Sequence, residues 1–140
     1  MRQVTVAQAQ YTAHALAKAL YDFDEPIPEF TTRFPGRLES CLHQPFETYD
    51  GKYLHFRLTK RAALLFYLII KNHPFMNGNK RMAVTITLLF LYMNKKWLTT
   101  QPETLYKLAC VVAASKAEDK DKIVEQLNVF FKATVVKSGE

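Results

Sequence analysis

Between two strongly apolar runs, residues 61–70 and 82–93, lies Lys71-Asn-His-Pro-Phe-Met-Asn-Gly-Asn-Lys-Arg81, a stretch dense in groups that do chemistry. His73 precedes a proline, which pushes its backbone out of the right-handed helical region and predicts an extended or turning chain. Asn77-Gly78 is a turn pair, and Asn79 stands where the N-cap of the next helix belongs. Lys80 and Arg81 then fall in the first turn of that helix. Unpaired N–H groups and the macrodipole already make that turn positive, so each cation there costs roughly 0.3–1 kcal/mol. An anion seated on the helix start reverses the sign of that effect. Two solvated cations after an ordinary loop would give the same pattern. A base at 73, a glycine turn and a cationic helix start together point to phosphate chemistry.

The elements that must hold this stretch are helical. Thr59 is expected to cap a helix over 60–71 whose centre is apolar on every side, the mark of a helix buried all round. The helix over 80–94 is nearly as apolar, broken by Thr85 and Thr87, whose hydroxyls can bond back to helix carbonyls. Two buried helices joined by a polar loop form a central hairpin that fixes the loop from both sides. Phe75, inside that loop, is expected to plug into the core. Thr5 is expected to cap a first helix running to about Tyr21, with Ala9, Ala13, Leu16, Ala17 and Leu20 on its inner face and His14 on its polar side. The acidic, proline-bearing stretch 22–28 reads as a connection. Pro35-Gly36 opens a short helix over 37–43. In the segment 46–55, Asp50-Gly51 between Tyr49 and Tyr53 signals a β-hairpin. That hairpin is either a connecting loop or a flap whose edge accepts an extended peptide. Trp97 and Leu98 read as a short apolar tail. Pro102 suits the first position of a helix burying Leu105, Leu108, Ala109 and Val112. A last helix starts near 118–121 with Ile123, Leu127, Phe130 and Phe131 inward, and 135–140 is expected to fray.

The sequence has 140 residues, nearly half of them hydrophobic, and only four glycines. That suits one all-α domain over 1–140. The net charge of +6 admits anionic partners, but no block of like charge appears and direct nucleic-acid binding is not expected. Cys41 and Cys110 match no metal or redox spacing, so a reducing cytoplasm is the expected compartment. The histidines at 14, 43, 55 and 73 show no ligand spacing for zinc. The N-terminus lacks the apolar core of a signal peptide, and the apolar runs fall short of the roughly 20 residues that cross a bilayer.

The residues His73-Pro-Phe-Met-Asn-Gly-Asn-Lys-Arg81 resemble the signature of the Fic/Doc family, His-x-Phe-x-Asp/Glu-Gly/Ala-Asn-Gly/Lys-Arg. With the apolar helix before it, the Tyr49-Asp-Gly-Lys52 flap and Leu88-Leu-Phe-Leu-Tyr-Met-Asn94 after it, residues from about 36 to the last helix resemble the Doc ("death on curing") branch. The resemblance implies a compact helical bundle with a central buried hairpin and a small β-hairpin flap. It implies His73 as general base for a target hydroxyl, a task suited to imidazoles as a class. Gly78 and Asn79 match the positions that cradle nucleotide phosphates, and Arg81 the arginine that neutralises the outer ones. Lys80 stands where most members have glycine. In Doc-like members this lysine accompanies a reversed nucleotide, so that ATP gives up its γ-phosphate.

The implied function is that of a toxin, restrained by a cognate antitoxin, that phosphorylates a serine or threonine of a translation factor such as elongation factor Tu. Two departures bear on it. Asn77 occupies the acidic position that holds Mg²⁺ in the family, and an uncharged amide oxygen implies weaker metal binding. Val84 stands where Fic enzymes carry a second arginine, as in Doc-like members. No Ser/Thr-x-x-x-Glu-Gly/Asn inhibitory string is present; Thr99 and Glu103 have that spacing, but Thr104 follows. Two alternatives stay open: a Fic-type nucleotidyl transferase that moves AMP to a protein hydroxyl, and a binding module left inactive by Asn77.

Overall fold

The computed structural model describes residues 1–21, 27, 29–49, 51–53 and 57–138. Thr5 opens the first helix as expected: its hydroxyl accepts the Gln8 N–H at 3.1 Å and Gln8 Oε1 accepts the Thr5 N–H at 2.9 Å. This reciprocal pair satisfies two donors that a helix start leaves unpaired. The helix runs as α1 (Val6–Gln8), a π-helical stretch (Ala9–His14) and α2 (Ala15–Tyr21). Ala9, Ala13 and Ala17 are fully buried, whereas Leu16 is 37% exposed. His14 is only partly exposed on that polar side. Its ring meets Phe30 edge-on at 5.6 Å, so this histidine is partly absorbed by packing. Most of the stretch 22–28 lies outside the described residues.

Helix α3 (Pro35–His43) begins with its proline at N1 and passes into a 3-10 turn (Gln44–Phe46). Strands β1 (Thr48–Tyr49) and β2 (Lys52–Tyr53) pair antiparallel, with Gly51 at φ 77 in the turn. A left-handed residue is what so tight a reversal requires, and glycine adopts it without a Cβ clash. Asp50 and His55 lie outside the described residues.

Helix α4 (Leu58–Asn72) and helix α5 (Asn79–Met93) form the central hairpin. Every residue from 61 to 70, and from 81 to 88, is buried. Each large side chain among them contributes about 1.5–3 kcal/mol by leaving water. Thr59 is not the cap of α4. Arg57 holds that position, and Thr59 lies inside the helix, its hydroxyl donating to Asn128 Oδ1 at 2.7 Å. The reason is tertiary: a buried hydroxyl needs a partner, and the neighbouring helix supplies one. Thr85 bonds back to the Arg81 carbonyl at 3.1 Å as expected. The Thr87 hydroxyl has no hydrogen-bond partner among the described residues.

After α5, Lys95 takes a left-handed backbone (φ 64) and the chain turns into β3 (Lys96–Leu98). Helix α6 (Pro102–Ala114) starts at its proline and buries Leu105, Ala109 and Val112. Helix α7 (Lys120–Thr134) buries Val124, Leu127, Asn128 and Phe131. Residues 135–137 do not fray. They form β4 (Val135–Lys137), which pairs antiparallel with β3, Leu98 opposite Val135. Trp97 and Leu98 are therefore strand residues. Neither three-residue run could be read as a strand alone, because each gains its hydrogen bonds only from the other. Helices α6 and α7 pack on α4, and one hydrophobic cluster runs from Val4 to Phe131. The fold is an all-α bundle with two small two-stranded sheets. Among the described residues no helix is long and apolar enough to cross a membrane.

Candidate functional site

The loop between α4 and α5 is held by backbone bonds from both sides. Pro74 is buried and its carbonyl accepts the Phe34 N–H at 2.6 Å. Phe75 is 3% exposed, meets Phe30 edge-on at 5.8 Å, and forms an isolated antiparallel bridge with Arg33. It plugs the core as the sequence suggested. Asn79 is not the N-cap of α5. Gly78 holds that place in a left-handed conformation (φ 75), which frees the Asn79 side chain to turn back on the loop. Its Oδ1 accepts the Phe75 N–H and its Nδ2 donates to the Phe75 carbonyl, both at 3.0 Å. A side-chain amide that satisfies both polar groups of a buried residue is a strong local clamp.

His73 follows the last turn of α4 with φ 49 and ψ 61. The following proline excludes the right-handed helical region. The backbone resolves this by taking the left-handed conformation that ends many helices, not an extended one. For a residue with a Cβ this costs on the order of 1–3 kcal/mol. The ring is exposed, and Nδ1 lies 3.4 Å from Asn79 Nδ2. Lys71, two residues earlier, donates to the Ser115 carbonyl at 2.6 Å and so pins the end of α4 to the end of α6.

Lys80 is partly buried in the first turn of α5. Arg81 is 5% exposed, with its guanidinium carbon 5.6 Å from the centre of the Tyr106 ring on α6. Asn77 is exposed. Among the described residues no group of three or more His, Cys, Asp or Glu side chains could hold a metal. Asn77 alone would offer Mg²⁺ one neutral oxygen, which fits a metal carried mainly by phosphate oxygens. The α5 start, with a glycine N-cap that makes no side-chain bond, fits an anion.

Two residues beside this loop were not read from the sequence. Arg37 reaches within 3.5 Å of the His73 carbonyl, and its guanidinium stacks 4.5 Å from the Phe34 ring. Its signal was present: a cation in the first turn of α3, as disfavoured there as Lys80 and Arg81 are in α5. Tyr106 had no such signal, since only the packing of α6 on α5 brings it to Arg81.

This chain belongs to the Fic/DOC family: residues 3–91, more than half of its length, match that family's model. The match contains the whole loop from His73 to Arg81 and ends within α5. Members of the family are transferases that act on proteins. No curated protein and no solved structure matches the chain.

Proposed function

We propose that this chain is a Doc-like toxin, a protein kinase that transfers the γ-phosphate of ATP to a serine or threonine of a translation factor such as elongation factor Tu. The contact between His73 and Asn79 carries the reading. It puts an exposed imidazole beside a helix start whose next two residues are Lys80 and Arg81. Lys80 at the usual glycine position and a buried Val84 at the second-arginine position both favour phosphoryl over nucleotidyl transfer within the resemblance.

Bound ATP would supply the transferable phosphoryl group. Lys80, the Gly78–Asn79 backbone and the first-turn N–H groups of α5 would hold its phosphates. Arg81, steadied against Tyr106, would add charge from the inner side. His73 takes the proton of the attacking hydroxyl. A cognate antitoxin in the cytoplasm is the restraint this function requires.

Purified protein, Mg²⁺ and elongation factor Tu are incubated with ATP labelled on the γ- or on the α-phosphate. Label arriving from the γ position, and lost in His73→Ala, supports the kinase. Label arriving only from the α position assigns the chain to nucleotidyl transfer instead. The neutral, exposed Asn77 favours a second reading, an inactive binding module. It predicts no label in either arm and a growth phenotype that survives His73→Ala.

A further inference from the structure

At the C-terminal end of α5, about 20 Å along the helix from the motif loop, three adjoining hollows share Tyr92. One, about 230 Å³, is walled by apolar side chains, among them Ala13, Leu16, Leu88 and Leu89. A second, about 670 Å³, is bordered by Asn94, Lys95, Lys96 and Lys137. A third, about 400 Å³, is bordered by Trp97, Val136, Lys137 and Ser138. Tyr92 and Trp97 meet edge-on at 6.2 Å, and they are 59% and 39% exposed. An apolar pit, an aromatic shelf and a basic rim thus border one another around Tyr92 as a composite groove.

The basic rim is held against its own repulsion. Lys96 and Lys137 are directly opposite each other in the β3–β4 ladder, an arrangement that destabilises a strand pair when the charges are alike. Lys95 adds a third cation from a left-handed position. The ion pairs among the described residues, Arg33 with Glu39 and Lys60 with Glu125, lie elsewhere. A strand pair that keeps like charges face to face suits a surface whose counter-charge comes from a partner.

We propose that this groove docks an acidic peptide segment of a partner protein. One large apolar side chain of the segment enters the pit between the first helix and α5, and neighbouring carboxylates meet Lys96 and Lys137. The aliphatic pit favours a polypeptide over a nucleic acid, whose polar, flat bases have no side chain to fill it. The site is separate from the motif loop and does not depend on the transferase reading.

Trp97 is the single tryptophan of the chain, so its fluorescence reports on the groove directly. The full chain is titrated with a synthetic peptide rich in Asp and Glu around a central Leu-Phe pair. A saturable change in emission is expected. Lys96→Glu with Lys137→Glu should weaken binding about tenfold or more, and a Lys-rich peptide of the same pattern should then bind the variant. Lys95→Gly suits the left-handed backbone and keeps the fold; it should weaken binding about threefold. The proposal is overturned by an unsaturable signal, by affinity that ignores these substitutions, or by tighter binding of single-stranded oligonucleotide. Sedimentation showing that the groove is closed by a second copy of the chain also overturns it.

Discussion

Asn79 Nδ2 lies 3.4 Å from His73 Nδ1, and the same amide holds both backbone polar groups of Phe75 at 3.0 Å. One side chain thus fixes the loop's anchor and touches the exposed imidazole. The two residues have separable roles, because His73 is exposed with a strained backbone while Asn79 is 7% exposed and clamps. His73→Gly relieves the left-handed strain, so its thermal midpoint should equal or exceed that of the parent while protein labelling disappears. Asn79→Ala leaves the buried Phe75 N–H unpaired and should cost about 2–4 kcal/mol in denaturant unfolding, with labelling lost as well. A His73→Gly variant that keeps its activity would refute the base assignment.

Asn77 is exposed, so replacing it should hardly affect stability, within about 0.5 kcal/mol. Asn77→Asp adds a charged oxygen ligand at the position that is acidic in the family. The Mg²⁺ concentration giving half-maximal labelling should fall by about tenfold. An unchanged magnesium dependence would mean that residue 77 does not approach the metal.

The two cations of the α5 start should respond differently. Lys80 is partly exposed, so Lys80→Ala should reduce ATP affinity with little change in unfolding free energy. Arg81 is buried against Tyr106. Arg81→Ala should cost about 3 kcal/mol of stability, and Arg81→Lys should not rescue it, because an ammonium cannot stack as a guanidinium does. Unfolding curves run beside nucleotide titrations distinguish the two.

Burial pushes the Cys41 thiol up to about 11, an effect the Asn72 side-chain hydrogen bond only partly offsets. The unfolded chain therefore releases this proton first. The stabilising contribution is fully present below the ordinary value of 9.0 and is lost as pH rises towards about 11. Thermal midpoints should fall more steeply across that window in the parent than in Cys41→Ala. At neutral pH a thiol reagent should label exposed Cys110 well before buried Cys41.

The helices and the motif loop were legible because their signals are local. Thr5, Pro35 and Pro102 each mark a helix start in the structure as in the sequence, and the unbroken apolar runs became the buried hairpin. Thr59 and Asn79 were misread as caps. The capping preference of Thr and Asn is real, but it yielded to partners in space: Asn128 on α7 for one, the Phe75 backbone for the other. The π-helical stretch from Ala9 to His14 left no trace in residue spacing. The β3–β4 pair was missed because each strand is three residues long.

The order of residues from 73 to 81 by itself determined that a histidine, a glycine turn and two cations would sit at the start of a buried helix. Backbone sterics and hydrophobic periodicity act over a few residues, so the sequence carries them. Only the tertiary structure decided what those groups face. It set Arg37 beside the His73 carbonyl, Tyr106 under Arg81 and the end of α6 against Lys71. These contacts join residues far apart in the chain, and the close packing of the helices, not any local preference, selects them.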